Sequence, residues 1–260
     1  MSIPHNPVLL QEVLESFCTP LVVENGGVFI DCTLGFGGHS QALSQKYPKL
    51  KIIGIDQDEV AIAYAFERLS KFKNRFEVKF GRFSEVLPDI WNDDIVGILA
   101  DIGVSSMQFD DKQRGFCFDS PLLDMRMNLH NTLNAKEIVN TYSLTQLERI
   151  FRDFGEIGEW KKLARLIVDF RKKEKIVCAS ALSELISRHF KHTKIHPATL
   201  AFQALRIEVN DELGELERML KICQEKNFQK GARVGIISFH SLEDRIIKTA
   251  FRDWERNCIC

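Results

Sequence analysis

Apolar and polar positions in the first hundred residues follow two alternating patterns, short apolar runs and longer stretches with helical spacing. The apolar runs predict four strands, at 28–31, 51–56, 76–80 and 95–100. The stretches between them predict helices, of which the clearest are at 39–47 and 58–70. Strands that alternate with helices are typical of a parallel sheet covered by helices, so we expect an α/β fold.

The pattern changes after Ser106, where a loop rich in Asp, Arg, Phe and Met leads into helices with no convincing strand until about residue 210. A long helix containing Leu213, Leu216 and Leu220 then precedes a fifth strand at 233–239. The sequence therefore predicts a discontinuous core domain, 1–114 and 206–260, interrupted by an inserted helical domain at 115–205.

Three of the predicted strands end in an acid, at Asp31, Asp56 and Asp101, and the first runs into a glycine-rich loop at 35–39. In an open parallel sheet these acids would meet at the ligand crevice. Clustered carboxylates repel a pyrophosphate and attract a cation, which favours S-adenosylmethionine over a nicotinamide dinucleotide. The dinucleotide fingerprint also requires a third glycine where this chain has Ser40.

Composition narrows the class of protein. With 45% apolar residues, a chain of 260 residues can bury one large core and a smaller satellite domain. No apolar run is long enough to span a bilayer and the first residues do not form a secretion signal, so we expect a cytoplasmic protein with no membrane partner. The cysteine spacing indicates neither disulfides nor a zinc site. Cys258 and Cys260 could still supply half of the ligands of a metal site.

Charge is unevenly distributed along the chain. The formal net charge of −1 argues against indiscriminate binding to nucleic acid, yet residues 151–196 carry eleven Lys or Arg against six Asp or Glu. The densest run is 171–175. A solvated helix end would explain such a run, and so would a surface for a polyanionic substrate.

Four separated segments carry a resemblance to a known family. They are 31–40 (DCTLGFGGHS), 101–106 (DIGVSS) with Gln108 and Asp110, 123–127 (LDMRM), and 237–245 (ISFHSLEDR). In this order they closely resemble the family of ribosomal RNA small subunit methyltransferase H, bacterial enzymes that N4-methylate a cytidine in the decoding region of 16S rRNA. The resemblance implies a Rossmann-like class I S-adenosylmethionine-dependent methyltransferase sheet with an inserted helical domain that recognises RNA.

The resemblance also implies a set of cofactor-binding residues: Gly37, Gly38, His39, Asp56, Phe83, Asp101 and Gln108. The sequence supports part of this set, because Asp56 ends a strand where a ribose needs an acceptor. Phe83 could cover an adenine or belong to the core. Asp31 is expected to support the glycine loop or to bind the methionine ammonium.

Some positions depart from the family pattern. Leu200 follows the His-Pro-Ala-Thr motif where Arg is usual, and Cys117 stands where Ser is usual. The stretch that leads to Asp124 is one residue shorter than in most members. Members also run on past the position of Cys260, so we expect the far edge of the sheet to be incomplete in this chain.

The expected chemistry is transfer of a methyl group to an amine with a delocalised lone pair. Asp101 is the candidate acceptor for the charge that develops on the amine, and His240 is a second candidate with an alternative structural role. The base must leave its stack, and the aromatic side chains available to receive it are Phe109, Phe116, Phe118 and Phe239. Arg114 and Arg126 could clamp phosphate or pair internally with Asp110 and Asp124.

Two other functions remain open at this point. One is a methyltransferase for a small molecule, with the helical insert as a lid. The other is a non-catalytic RNA-binding assembly factor with a vestigial pocket. The sequence also leaves open the oligomeric state, a dimer included, and whether free RNA or the small ribosomal subunit is the substrate.

Overall fold

The computed structural model describes residues 7–191 and 195–256, so Cys258 and Cys260 lie outside the described residues. The chain divides into two compact units, Met1–Gly103 with Leu213–Cys260, and Val104–Glu212. The predicted insert, 115–205, lies within the second unit, which extends beyond it at both ends. Within the described ranges, no helix is long and apolar enough to cross a membrane.

The first unit is built on a five-stranded parallel sheet in the order β3-β2-β1-β4-β5. Its strands are β1 (Gly27–Asp31), β2 (Leu50–Asp56), β3 (Phe76–Phe80), β4 (Ile95–Asp101) and β5 (Arg233–Ile237). Its helices are α1 (Leu10–Ser16), α2 (Gly38–Lys46), α3 (Glu59–Arg68), α4 (Phe83–Ile90), α11 (Glu212–Glu225) and α12 (Ser241–Arg256). The predicted α/β fold is confirmed, and β5 forms one edge of the sheet in the described part of the chain.

Both faces of this sheet are buried, which explains why its strands appear in the sequence as continuous apolar runs. Successive side chains on a strand point to opposite faces. Phe29 of β1 packs in a cluster with residues of α1 and α2, whereas Ile30, its neighbour, packs in a cluster with residues of α4, α11 and α12. Both side chains are fully buried.

The fifth strand is shorter than the sequence predicted. It ends at Ile237 instead of residue 239, because the next residues turn into α12. The buried carboxylate of Glu243 accepts hydrogen bonds from the backbone N–H groups of Phe239, at 2.8 Å, and His240, at 3.2 Å. These bonds to a side chain replace the strand pairing that a longer β5 would need.

The second unit is helical, with no strand in its described residues, as the sequence predicted. Its helices are α5 (Ser106–Asp110), α6 (Ala135–Thr141), α7 (Leu144–Asp153), α8 (Trp160–Arg171), α9 (Ala179–His189) and α10 (Thr199–Asn210). They enclose a separate apolar core that includes Phe116, Leu147, Phe151 and Leu205. This unit therefore has its own source of hydrophobic stabilisation.

Two arginines of the irregular segment between α5 and α6 are occupied within this unit. Arg114 is buried and donates to the carbonyls of Arg126, at 3.1 Å, and Met127, at 2.9 Å. The guanidinium of Arg126 donates two hydrogen bonds of 2.8 Å to the carboxylate of Asp124. The geometry therefore supports the expected pairing of Arg126 with Asp124, whereas Arg114 is held by backbone carbonyls.

A buried carboxylate joins two helices of the sheet unit. Glu215 of α11 is 4% exposed, and its oxygens accept hydrogen bonds from Ser84 of α4, at 3.0 Å from Oγ, and from Arg218, at 2.6 Å. Nη1 of Arg82 lies 3.4 Å from Oε1 of Glu215. A buried charge of this kind is costly unless it stays paired, so Glu215 and its partners must form together.

We expect Glu215→Gln to lower the free energy of unfolding by about 1–3 kcal/mol, because it removes the charge from a buried network and leaves two arginines without their anion. Urea unfolding measures the change. Glu217→Gln, an exposed position on the same helix, is the matched control and should shift the free energy by less than about 0.5 kcal/mol. Equal urea midpoints for the two variants would show that the Glu215 network does not contribute to the free energy of unfolding.

Candidate active site

The carboxyl ends of β1, β2 and β4 carry the three acids that the sequence predicted there, Asp31, Asp56 and Asp101. Asp31 pairs with Gly54 of β2 and with Leu99 of β4, so Asp56 and Asp101 each lie two residues further along their strands. The strand order reverses between β1 and β4. Open α/β sheets bind ligands at such a reversal, so the three acids flank the expected crevice.

Asp31 holds the glycine-rich loop in place. It is 1% exposed, and its Oδ2 accepts a 2.6 Å hydrogen bond from Ser40 Oγ, in the first turn of α2. Its Oδ1 accepts from the backbone N–H of Thr33 at 3.3 Å. Burial raises the pKa of Asp31, and the bond from Ser40 opposes that rise. These contacts fit the expected role in supporting the loop.

Asp56 closes the same loop from the neighbouring strand. Its Oδ2 accepts a hydrogen bond from the backbone N–H of Gly35 at 2.7 Å, and its Oδ1 accepts from the N–H of Asp58 at 2.9 Å. Burial raises the pKa of Asp56 to about 6. Each carboxylate oxygen can accept a second hydrogen bond, so Asp56 can hold the loop and still receive the hydroxyls of a ribose.

The glycines of the loop are required by its geometry. Gly37 has φ of 72°, a left-handed conformation that L side chains rarely adopt, and a Cβ there would lie 2.8 Å from Leu69. A Cβ on Gly38 would lie 2.5 Å from Pro7. Both glycines are therefore required by close packing at the start of α2, where a side chain would collide with Leu69 or Pro7.

His39 is buried between the segment before α1 and the end of β4. Its Nε2 lies 2.9 Å from the carbonyl oxygen of Val8, so this nitrogen carries a hydrogen and donates it. Its Nδ1 faces Oδ2 of Asp101 at 3.8 Å, which is beyond hydrogen-bond range. The two side chains attract each other when the ring is protonated. His39 then orients the Asp101 carboxylate without forming a hydrogen bond to it.

Asp101 differs from the other two acids because part of its carboxylate is unused. Oδ1 is buried and accepts no hydrogen bond from any described residue. Burial raises the pKa of Asp101 to about 6, with His39 opposing the rise and the Asp31 carboxylate adding to it. A buried, unsatisfied acceptor is unfavourable unless a donor or a cation reaches it, so this oxygen is the best candidate for a ligand contact.

A cationic cofactor fits these residues. The edge of the sheet offers carboxylates and a buried oxygen without a hydrogen-bond partner among the described residues. The basic groups described nearby have contacts of their own: Arg68 donates to the carbonyl of Phe36 at 3.2 Å, and His39 lies 3.8 Å from Asp101. An ammonium or sulfonium would reduce the repulsion between acids that already raise each other's pKa. The sequence-based preference for S-adenosylmethionine over a dinucleotide agrees with this geometry.

Two of the expected cofactor residues are engaged in local structure. Phe83 begins α4 and is partly buried against the apolar cluster beneath the sheet, which supports the core alternative for this ring. Gln108 lies in the helical unit and forms a capping box with Ser105: each side chain accepts a hydrogen bond from the other residue's backbone N–H, at 3.0 and 3.2 Å. A cofactor role for either residue stays a prediction.

His240, the second candidate proton acceptor, is held by the turn that starts α12. Its Nε2 lies 3.1 Å from Oε1 of the buried Glu243, and the ring is 10% exposed. The same carboxylate accepts the backbone N–H of His240. This arrangement favours the structural alternative, and a catalytic role for His240 remains untested.

Thr33 was not singled out by the sequence analysis, although it connects the acids. Its Oγ1 accepts a 2.6 Å hydrogen bond from the backbone N–H of Asp101, and its own N–H donates to Asp31. The backbone hydrogen bond that joins the end of β1 to β4 runs from Cys32 N to Leu99 O, at 2.8 Å. The Thr33 hydroxyl therefore continues the β1–β4 pairing and fixes the main chain of Asp101. A hydroxyl two residues after a strand-end acid is the signal that could have revealed it.

Fold and site together define a class I methyltransferase, and the comparisons identify the family. The sequence profile of the MraW methylase family matches residues 2–260. The chain is 58% identical to the ribosomal RNA small subunit methyltransferase H of Wolinella succinogenes, over 100% of this chain and 84% of that protein. It is 52% identical to the protein of the same name in Helicobacter pylori strain G27, over 98% of this chain and 82% of that one.

Among solved structures, an rRNA methylase from Streptococcus thermophilus matches 47% of this chain and 69% of its own, at 16% identity and a TM-score of 0.30. That likeness is too low to add to the assignment. The chain belongs to the MraW methylase family on the sequence matches alone. It is a methyltransferase, and S-adenosylmethionine is its methyl donor.

We expect Thr33→Val to weaken the binding of S-adenosylmethionine by about tenfold, because the isosteric change leaves the N–H of Asp101 without an acceptor and frees its main chain. Calorimetry measures the dissociation constant. Thr33→Ser keeps the hydroxyl and should bind like the unmodified protein. Equal affinity in the Val and Ser variants would show that the hydroxyl does not position Asp101.

Proposed function

We propose that the chain transfers a methyl group from S-adenosylmethionine to the N4 amine of a cytidine in 16S rRNA. The observation that carries the proposal is the buried, unpaired Oδ1 of Asp101 at the reversal of the strand order. It is supported by relatives that are named ribosomal RNA small subunit methyltransferase H. A substrate on the small ribosomal subunit implies a cytoplasmic enzyme, as the sequence predicts.

S-adenosylmethionine supplies an electrophilic methyl on a sulfonium: its C–S bond breaks as the amine lone pair forms the N–C bond, and the amine loses one proton. The protein can contribute positioning and the placement of charge. A carboxylate oxygen within reach of the amine favours the pyramidal form, in which the lone pair is available, and then receives the proton.

We assign that task to Asp101 rather than to His240, because Asp101 ends a strand at the reversal of the strand order, whereas His240 lies in the turn after β5 with its Nε2 3.1 Å from the Glu243 carboxylate. With a pKa of about 6, the Asp101 carboxyl is mainly ionised at neutral pH and still basic enough to take a proton. Its main chain is fixed by Thr33 and its carboxylate is oriented by His39. Asp101 then acts as a positioned acceptor.

The remaining expected residues bind the cofactor in this proposal. Gly37 and Gly38 allow the close packing that shapes the start of α2, and Asp56 receives the ribose hydroxyls. His39 keeps Asp101 in place, as described above. Phe83 completes the expected residues of the sheet unit, alongside its role in the core.

We further propose that the helical unit recognises RNA through the exposed face of α8 and the residues just after it. The basic side chains there are all exposed: Lys161, Lys162, Arg165, Lys172 and Lys173. The opposite face of α8 is buried through Leu163, Ala164 and Ile167. Trp160 adds an aromatic surface between two cations, with Lys161 Nζ 4.9 Å and the Arg152 guanidinium 5.6 Å from the ring centre. Clustered cations with an interleaved aromatic ring are suited to phosphate and base contacts.

We expect Asp101→Asn to lower the rate of methyl transfer to small ribosomal subunits by at least about 100-fold, because the amide cannot accept the proton. The unmodified protein should lose activity as pH falls through about 6, since a protonated carboxyl is no longer an acceptor. Transfer of a labelled methyl between pH 5 and 8 measures both effects.

The Asp101→Asn variant should show a flat profile over the same range. Circular dichroism checks that it is folded. Full turnover by this variant, or a profile in the unmodified protein with no step near pH 6, would remove Asp101 from the mechanism.

We expect the double variant Lys172→Glu with Lys173→Glu to bind rRNA more weakly and to reduce the slope of log affinity against log salt by roughly 2, one for each phosphate that the variant no longer neutralises. Filter binding at several salt concentrations measures the slope. Lys221→Glu with Lys248→Glu changes the charge equally on exposed helices of the sheet unit and is the matched control. Equal slopes in the two double variants would show that the basic run is only solvated.

A further inference from the structure

Phe239 is a large apolar side chain that the fold holds in solvent. It follows β5 at the carboxyl edge of the sheet, and 57% of its surface is exposed. Its backbone is fixed, because its N–H donates a 2.8 Å hydrogen bond to the buried carboxylate of Glu243. A single exposed aromatic residue is ordinary on a protein surface. Phe239 is distinguished by its position at the carboxyl edge of the sheet.

The ring of Phe239 lies over the backbone that follows Asp101. A Cβ on Gly103 would lie 3.4 Å from Cδ2 of the ring, and Gly103 has φ of 119°, a conformation that excludes most side chains. Asp101 pairs with Ile237 across β4 and β5. Gly103 and Phe239 therefore each lie two residues beyond that pair, at the same edge of the sheet.

This placement puts a flat apolar surface beside an unused hydrogen-bond acceptor. A base that lies on the ring of Phe239 would be at the same edge of the sheet as the Asp101 carboxylate, because Phe239 follows by two residues the partner of Asp101 in β5. Phe116, another candidate from the sequence, is 4% exposed and packs in the core of the helical unit, so it cannot serve as such a surface.

We infer that Phe239 is the stacking surface that receives the target base of the RNA and sets the angle at which its amine meets Asp101. The inference rests on the proposed function and adds a residue that positions the substrate. A base taken out of its own stack loses favourable contacts, and stacking on an aromatic side chain restores part of them. The aromatic face accepts any base, so selection of the amine is left to Asp101.

The experiment compares Phe239→Leu, which removes the flat face, with Phe239→Tyr and Phe239→Trp, which keep it. Methyl transfer to small ribosomal subunits is measured together with calorimetry of S-adenosylmethionine. We expect the Leu variant to lose about 10- to 100-fold in kcat/KM for the subunit, the range that loss of one stacked base implies, with unchanged affinity for the cofactor. The Tyr and Trp variants should retain activity within about threefold.

Phe66→Leu provides the matched control, because Phe66 of α3 is 64% exposed and lies on no strand end. It should leave kcat/KM unchanged. If the unmodified protein methylates subunits and the Phe239→Leu variant does so equally well, the inference is wrong while the proposed function stands. A Leu variant that loses cofactor binding as well would also contradict it. An unmodified protein that binds the cofactor and methylates no rRNA would instead refute the proposed function.

Discussion

Burial of three carboxylates at one edge of a sheet is the constraint on which the site depends. Asp31 and Asp56 accept hydrogen bonds from the glycine loop and the start of α2, and this holds the loop open. Burial raises the pKa of Asp56 and Asp101 to about 6, above the ordinary value of 3.8. Their contribution to stability is therefore full below about pH 4 and is lost as pH rises through about 6. A bound cation offsets that loss, so the fold itself favours a positively charged ligand.

The parts of this design that are local in sequence could be predicted from the sequence. Apolar runs gave the strands, and the acids at their ends followed directly, because a strand of a parallel sheet places its last residue at the ligand edge. The glycine loop was visible for the same reason. The Thr33 hydroxyl could have been singled out by its place two residues after Asp31, but its bond from the N–H of Asp101 depends on the register between β1 and β4, which the local sequence does not specify.

Residue type predicted the role of a side chain less well where the same side chain can either stabilise the fold or bind a ligand. Phe83 packs on the core and Gln108 caps a helix, and neither task can be separated from ligand binding by sequence spacing alone. Phe239 shows the opposite problem. Its apolar character is typical of a core residue, and only the early end of β5 reveals that it lies in solvent. The pairing of His240 with Glu243 was equally hidden, although the two are close in sequence.

The strand that precedes Phe239 joins the sheet late in the chain. β5 pairs with β4, and Arg233 lies opposite Gly97. Every residue of the helical unit is therefore synthesised before that contact can form. Closing so long a loop costs little in equilibrium free energy, since each doubling of its length adds only about 0.6 kcal/mol. It does delay folding, because non-local pairing must wait for the whole intervening segment. During translation the first four strands, with the acids at their ends, are therefore complete long before β5 is available to pair with β4.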